Sequence, residues 1–186
     1  MAIVAVYDAC VLYPSPVRDL YIRFAIAELV DARWSDTILD EVFRNLRSDR
    51  PDLDPGRLEI TRRRMNDAVL DAVVPRNEAA LSRVVGLPDP DDAHVVATAI
   101  DSGGSVIVTF NLRDFPAAAL QPLGLSAVHP DVFATELLDA EPDAVAAVVR
   151  AQAADVRNPP RTFDDVLDAL SRCGLSAFAS RLRPGR

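Results

Sequence analysis

Four acidic side chains stand where the chemistry of this chain is expected. Asp8 comes directly after the apolar run IVAVY, and Asp114 follows the apolar run SVIVT. Asp92 lies in the acidic turn LPDPDDAH, and Glu41 lies within a helical pattern. Ligands of open parallel sheets bind in the crevice beyond the carboxyl ends of the strands. We therefore expect the acids that follow strands to face a shared site.

Carboxylates gathered in one cleft repel one another unless a cation neutralises them. Mg²⁺ and Mn²⁺ prefer carboxylate and water oxygens, so either ion suits such a cluster. A divalent ion can lower the pKa of a bound water and stabilise charge on a phosphoryl oxygen. The pattern therefore favours metal-dependent phosphodiester hydrolysis, although a chain with 22 Asp and 6 Glu places some acids near strand ends by chance.

The basic residues exclude several enzyme classes. All 20 of them are Arg, so a Schiff-base lysine, a Walker A loop and an ordinary kinase site are impossible. The two histidines, His94 and His129, cannot form an HExxH zinc site. The net charge of −8 argues against broad non-specific binding of nucleic acid, but it allows a local basic surface beside an acidic cleft.

The elements that must position these acids alternate between strands and helices. Strands are predicted at Ile3 to Tyr7, Ser105 to Thr109 and Leu125 to Val128. A helix is predicted over Val17 to Val30, and Ser35 is the expected N-cap of the next one. This alternation indicates an α/β fold with a parallel sheet that is covered on both faces.

Local signals extend the pattern between these strands. Asp54-Pro55 predicts the start of a helix that runs through residues 56–72, and Val73-Val74 suggests a short strand. Asn77 is the expected cap of a helix that runs through Leu81 to Val85, and another helix is predicted over residues 92–102.

No strand pattern follows Pro130. We predict helices around Val132 to Leu138, from Pro142 to about Val156, after Thr162, and over Leu175 to Leu182. Residues 1–129 are therefore predicted to form an α/β domain, and residues 130–186 a helical C-terminal extension.

Several absences bear on localisation. No run of about 18 apolar residues occurs, so we expect no membrane span. The N-terminus lacks a basic leader, and two cysteines are too few for a disulfide framework. We expect a cytoplasmic protein.

Four segments together resemble the PIN-domain ribonucleases of the bacterial VapC toxin type. Each is a weak motif alone, but their order and spacing over about residues 3–115 match the family. In chain order they are AVYDACVLYP, WSDTILDEVFRNL, LPDPDDAHVVATAI and SVIVTFNLRDF.

The resemblance implies a three-layer α/β/α sandwich and a Mg²⁺- or Mn²⁺-dependent endoribonuclease. By position, it assigns metal binding to Asp8, Glu41 and Asp92, and it adds Asp114 to the catalytic acids. Thr109 is expected to orient a water or a carboxylate. Either Asn111 or Asp114 is expected to face the metal, and the resemblance leaves this choice open. The family also implies RNA as substrate, a cognate antitoxin as partner in a type II toxin–antitoxin pair, and a homodimer.

Several of these residues also have simpler, structural interpretations. Asp92 is also a natural helix N-cap, and Glu41 has an acidic neighbour in Asp40. Cys10 stands where the family commonly has Asn or Ser, which puts the support of the acids in doubt, and as a thiol it is expected to pack as a small hydrophobe. His94 is expected to be a packed or surface residue rather than a metal ligand.

The segment from Arg44 to Arg64 is locally basic, with seven Arg against four acids, a balance of +3. It is either a pair of solvated helices with surface ion pairs, or a rim that contacts the RNA backbone, or a surface for an acidic strip of an antitoxin. Arg44 and Arg47 are the candidates for substrate binding.

Three other functions share features with this sequence. A haloacid-dehalogenase-like phosphatase needs a second Asp where Cys10 stands, and a Lys that the chain lacks. A PIN-like module that binds RNA or a partner without cutting stays open. A PIN nuclease that processes RNA outside a toxin–antitoxin pair also stays open.

Overall fold

The computed structural model describes residues 2–157 and 159–183. Its centre is a parallel sheet of four strands in the order β2-β1-β3-β4. The strands are β1 (Ile3–Tyr7), β2 (Val30–Arg33), β3 (Val106–Val108) and β4 (Ser126–Val128). The helices are α1 (Ala9–Leu12), α2 (Ser15–Ile26), α3 (Asp36–Asp49), α4 (Pro55–Ala68), α5 (Glu78–Leu81), α6 (Ala93–Asp101), α7 (Ala117–Leu120), α8 (Pro130–Ala140), α9 (Pro142–Asp155), α10 (Phe163–Arg172) and α11 (Ser176–Leu182).

Strand β1 lies in the interior of the sheet, which agrees with its apolar sequence. Its residue Ile3 pairs with Val30 of β2, and Ala5 pairs with Val106 of β3. Parallel strands that are covered on both faces are uniformly apolar rather than alternating. This central position carries Asp8, the residue after β1, into the middle of the carboxyl edge of the sheet.

Helices cover both faces of the sheet. The connection from β1 to β2 runs opposite to the one from β2 to β3, so right-handed crossovers place α2 and α6 on opposite faces. Helix α6 packs on β1 and β3 and contacts α3 and α5, whereas α2 contacts α9 and α10. The protein therefore has the α/β/α architecture that the sequence predicted.

The main error of the sequence interpretation is strand β2. Residues Val30–Arg33 (VDAR) form a strand, and α2 already ends at Ile26, although the predicted helix continued to Val30. The segment is too short and too polar to be recognised as a strand by itself, and its pairing with β1 decides its conformation. Two further helices are shorter than predicted. Helix α4 ends at Ala68 rather than at residue 72, and α5 ends at Leu81 rather than at Val85.

Local capping signals were more reliable. The Ser35 hydroxyl accepts a hydrogen bond from the Ile38 N–H at 3.3 Å and caps α3. Asp54 caps α4 by accepting from the Arg57 N–H at 2.7 Å. The predicted short strand at Val73-Val74 is reduced to a single parallel bridge between Val73 and Trp34.

The C-terminal helices α8–α11 pack onto the outer side of α2. Phe178 of α11 meets Phe24 edge to face with ring centroids 6.3 Å apart, and Phe133 of α8 stacks on Tyr21 at 6.2 Å. Residues of both parts belong to one continuous hydrophobic core. The division into residues 1–129 and 130–186 stays a prediction, because this shared core does not separate the two parts.

One glycine joins the C-terminal helices to the carboxyl edge of the sheet. Gly174, which follows α10, has φ +97°, a conformation that side chains other than glycine rarely adopt. A Cβ at this position would lie 2.8 Å from Cε1 of Phe110, two residues after β3. The end of α10 therefore packs directly against the loop that follows β3.

No helix within the described residues is long and apolar enough to cross a membrane.

Candidate active site

The carboxylate of Asp8 is buried and held from three sides. Its Oδ1 accepts from the Ala9 N–H at 2.7 Å, and its Oδ2 accepts from the Thr109 hydroxyl at 2.7 Å and from the Cys10 thiol at 3.1 Å. Burial raises the pKa of Asp8, and these three hydrogen bonds oppose that rise because they favour the charged form, while the charge of Glu41 adds to it. The network fixes one carboxyl group at the end of β1.

Thr109 and Cys10 tie this carboxylate to the loop after β3. The fully buried Thr109 hydroxyl also accepts from the Asn111 N–H at 3.0 Å, so it serves the carboxylate and the loop together. The Cys10 sulfur accepts from the Phe110 N–H at 3.2 Å. The expectation that Cys10 packs only as a small hydrophobe was wrong, because its thiol takes the polar role expected of Asn or Ser.

Asp92 carries the clearest sign of a shared acidic site. Burial, together with the charges of Asp8, Asp89, Asp114 and Glu41, raises its pKa to about 6. Although Asp92 stands at the N-cap position of α6, its side chain makes no capping hydrogen bond. Helix capping therefore does not account for this carboxylate, which the fold leaves among like charges.

The neighbouring acids Asp40 and Glu41 on α3 face different surroundings. Arg62 pairs with Asp40 and with Asp36, the latter at 2.8 Å, so Asp40 belongs to an exposed ion-pair cluster. Glu41 contributes to raising the pKa of both Asp8 and Asp92. The structure thus separates the two acids, with Glu41 on the side of the strand-end cluster.

The loop after β3 presents two candidate ligands. Asp114 lies in a short 3₁₀ turn, is half-buried, and its charge contributes to raising the pKa of Asp92. Asn111 is exposed, and its described hydrogen bond comes from its backbone N–H. Of the two, Asp114 is the one that acts electrostatically on the acidic cluster.

The side-chain types of these acids suit a hard divalent cation, but their carboxylates are not close enough together to form a complete ligand set. Carboxylates that raise one another's pKa values are the donors that Mg²⁺ and Mn²⁺ prefer. Within residues 2–157 and 159–183, however, no three His, Cys, Asp or Glu side chains already stand at ligating distances from a common point. Mg²⁺ keeps several water ligands and needs only one or two carboxylates, so the donor set suits an ion held partly by water.

His94, which the sequence predicted to be a packed or surface residue, lies beside Glu41. Its Nε2 lies 3.5 Å from Oε2 of Glu41, and its Nδ1 is buried without a hydrogen-bond partner among the described residues. The sequence signal that could have found it is its place two residues after Asp92, at the start of α6. Spacing alone could not show that α3 brings Glu41 to the same place.

The predicted substrate contacts Arg44 and Arg47 are both exposed on α3, within one to two turns of Glu41. Other arginines of the basic segment are engaged in ion pairs, such as Arg62 with Asp36 and Arg50 with Asp52 at 2.7 Å. A backbone-contacting role for Arg44 and Arg47 stays a prediction.

A sizeable groove of the described structure lies away from these acids. It measures about 680 Å³ and is bordered by α2, α4, α9 and α10. None of Asp8, Glu41, Asp92 or Asp114 lines it. We place the candidate site at the acids because the chemistry of the charged groups, rather than cavity size, points there.

Comparison with known families decides the classification of this arrangement. The family model described as "PIN domain" matches residues 5–113, which contain most of β1, all of β3 and three of the four acids. The chain belongs to the PIN-domain family. A second model, described as "VapC50 C-terminal domain", matches residues 130–184, the helical part that follows the PIN domain.

A curated relative of this PIN-domain protein is the "Putative ribonuclease VapC50" of Mycobacterium tuberculosis (strain ATCC 25618 / H37Rv). The two sequences are 39% identical over 92 residues, which cover 50% of this chain and 54% of the relative. The alignment therefore spans about half the length of the relative. No solved structure matches the chain.

Proposed function

We propose that this protein is a divalent-metal-dependent endoribonuclease, and that it is the toxin of a type II toxin–antitoxin pair. The observation that carries the nuclease proposal is the acidic cluster at the carboxyl ends of β1 and β3. The charges of Asp8, Glu41 and Asp114 raise the pKa of Asp92 there, while Arg62 pairs with Asp40, the acidic neighbour of Glu41. Membership of the PIN-domain family and the similarity to VapC50 support the same activity.

The residues divide into ligands and supports. Asp8 and Asp92 would hold Mg²⁺ or Mn²⁺, with Glu41 and Asp114 completing the anionic surroundings. Bound there, the ion supplies an activated water nucleophile and stabilises negative charge on the phosphoryl group.

The supports keep these ligands ready. Thr109 and Cys10 orient the Asp8 carboxylate through their hydrogen bonds, which also favour its charged form. Binding therefore does not need to reorganise this carboxylate, and pre-positioned groups are more effective in catalysis.

RNA is the substrate that we propose from the family. Arg44 and Arg47 lie on the exposed side of the helix that carries Glu41, where guanidinium groups can pair with phosphates. This arrangement suits a strand of RNA that crosses α3 with one phosphate at the acids.

The decisive experiment is cleavage of a structured RNA by the purified full chain with Mn²⁺ or Mg²⁺, and with EDTA as control. We expect cleavage that EDTA abolishes and that E41Q strongly reduces. The matched control is D40N, which alters the adjacent, arginine-paired acid and should cleave like the wild type. If the wild type binds RNA but leaves it intact with either ion, the protein is a non-catalytic binding module instead.

The toxin proposal has a separate test. Expression in a bacterial host should arrest growth, and D8N should relieve the arrest. Co-expression of the small protein encoded by an adjoining gene should restore growth, and the two proteins should purify together. RNA cleavage without growth arrest would instead indicate an RNA-processing nuclease. We also propose a homodimer, which sedimentation measurements can check.

A further inference from the structure

His94 and Glu41 form a contact between two elements that each carry part of the acidic cluster. Glu41 lies on α3, and His94 lies at the start of α6, immediately after the turn that holds Asp92. The His94 Nε2 stands 3.5 Å from Glu41 Oε2, and the histidine side chain is only 16% exposed. The imidazole therefore connects α3 to the segment that presents Asp92.

Within the described part of the chain, Glu41 lacks the hydrogen-bond support that the Asp8 carboxylate has. Asp8 receives three hydrogen bonds, whereas the described hydrogen bonds of the chain include none to the Glu41 carboxylate. A glutamate side chain has several rotatable bonds and loses conformational entropy when it is fixed. The charges of Asp8 and Asp92 also repel it, so without a donor it would turn towards solvent.

The surroundings of His94 define which ring nitrogen can donate. The buried Nδ1 has no partner in the described protein, and the ring borders a small cavity of about 10 Å³ between α3, α5 and α6. A neutral imidazole has one N–H, and the tautomer with the proton on Nε2 places that N–H on the side of the ring nearest Glu41, whose Oε2 lies 3.5 Å from Nε2. In this tautomer Nδ1 carries no proton, so it can only accept a hydrogen bond.

We propose that His94 is a positioning residue that holds the Glu41 carboxylate towards Asp8 and Asp92 by donating a hydrogen bond from Nε2. This inference rests on the proposed metal-dependent nuclease and deepens it. Partners that orient a ligating carboxylate typically change metal affinity or activity by about 10–100-fold when they are removed.

The test is Mn²⁺ binding by the full-length protein, measured by electron paramagnetic resonance, alongside RNA cleavage. We expect H94L to weaken Mn²⁺ binding by about 10-fold or more. H94Q, whose amide N–H reaches the position of Nε2, should recover most of that affinity, and the shorter H94N should not. Circular dichroism and thermal unfolding establish that each variant is folded.

A double-mutant cycle shows whether His94 acts through Glu41. If it does, H94L should change Mn²⁺ affinity little in a protein that already carries E41Q. Unchanged affinity in the single variant H94L, or fully additive effects of H94L and E41Q, would overturn the proposal.

A metal-free measurement separates this inference from the proposed function. At a pH where the ring is neutral, two-dimensional ¹H–¹⁵N NMR of the imidazole should show the proton on Nε2, and E41Q should shift that nitrogen. A proton on Nδ1 would overturn the positioning role, even in a protein that binds Mn²⁺. If the wild type neither binds Mn²⁺ nor cleaves RNA, the proposed function fails, and the positioning role fails with it, even where the NMR contact is observed.

Discussion

Aspartate serves opposite purposes in the sheet-edge site and in the C-terminal helices. In the helices, Asp131 accepts hydrogen bonds from the Ala177 N–H at 2.9 Å and the Phe178 N–H at 2.8 Å. Asp165 forms a capping box with Thr162, and the hydrogen bonds from the Thr162 backbone and hydroxyl lower the pKa of Asp165. These acids stabilise the fold.

The acids of the site have the reverse character. Burial and neighbouring negative charges raise the pKa of Asp92 to about 6, and burial raises that of Asp8. Keeping such groups together costs stability, and carboxylates with raised pKa values are candidates for a functional site. The comparison teaches that the pKa shifts of Asp92 and Asp8 point upward where acids are buried near like charges, whereas that of Asp165 points downward where an acid caps a helix.

The largest effect is expected when the buried strand-end acid is neutralised. D8N removes the charge that we assign to metal binding, so RNA cleavage should fall by more than about 100-fold, beyond the loss typical of a merely supporting partner. The matched control is D165N, which alters an acid of the C-terminal region and should leave cleavage unchanged. Cleavage by D8N at the wild-type rate would remove the distinction between the two regions.

The next largest effect is expected at the contact between Gly174, at the end of α10, and Phe110, in the loop after β3. G174A places a side chain at φ +97° and 2.8 Å from the Phe110 ring, so the ring or the end of α10 must shift. We expect a loss of about 1–2 kcal/mol in the free energy of unfolding.

Phe110 follows Thr109 directly, so RNA cleavage by G174A should fall as well, which an assay well below the unfolding temperature would detect. A control at a comparable turn is G103A, whose added Cβ meets nothing within 4 Å despite its positive φ. It should share the backbone strain without the loss of cleavage. Equal cleavage by both variants would show that the loop after β3 is insensitive to the C-terminal helices.

A structural aspartate should affect stability alone. D131A removes the acceptor of two N–H groups at the start of α11, which should lower the free energy of unfolding by about 1–2 kcal/mol. Urea unfolding measures this loss, and RNA cleavage at low temperature should stay at the wild-type level. A stability equal to that of the wild type would contradict the structural role of Asp131.

The smallest expected effect is a gain, rather than a loss, in the free energy of unfolding. Because the pKa of Asp92 is raised in the folded state to about 6, from 3.8, its charged form destabilises the metal-free protein above that pH. D92N should therefore stabilise the metal-free protein at neutral pH. Asp92 is partly exposed, so we expect about 1 kcal/mol, or a rise of about 2–4 °C in Tm.

The pH dependence of this gain checks its cause. As pH falls from about 6 towards 3.8, wild-type Asp92 takes up its proton in the folded state, and the advantage of D92N should disappear. Scanning calorimetry with EDTA across this range measures both parts. A D92N protein that is less stable than the wild type at pH 7 would show that the acids do not oppose one another.

The sequence predicted those parts of the fold whose signals are local. Ser35, Asp54 and Thr162 cap the helices expected of them, because an N-cap depends on residues three positions away. Strand β2 was missed since its conformation depends on pairing with β1.

The same division holds at the site. Asp8 was found because it directly follows an apolar strand, and the family pattern added Glu41 and Asp92. The contact of His94 with Glu41 and the bonds of Cys10 to the loop after β3 join residues far apart in the chain. No spacing rule within one segment reveals them, because only the folded sheet brings these segments together.

The central claim is that the acids at the sheet edge hold a divalent cation. It is tested most directly by soaking crystals of the full-length protein in Mn²⁺ and recording the anomalous signal of manganese. The account predicts a peak in contact with the carboxylates of Asp8 and Asp92 that is lost in D8N. A peak only at arginine-paired or capping acids, or none at the sheet edge at saturating Mn²⁺, would contradict it.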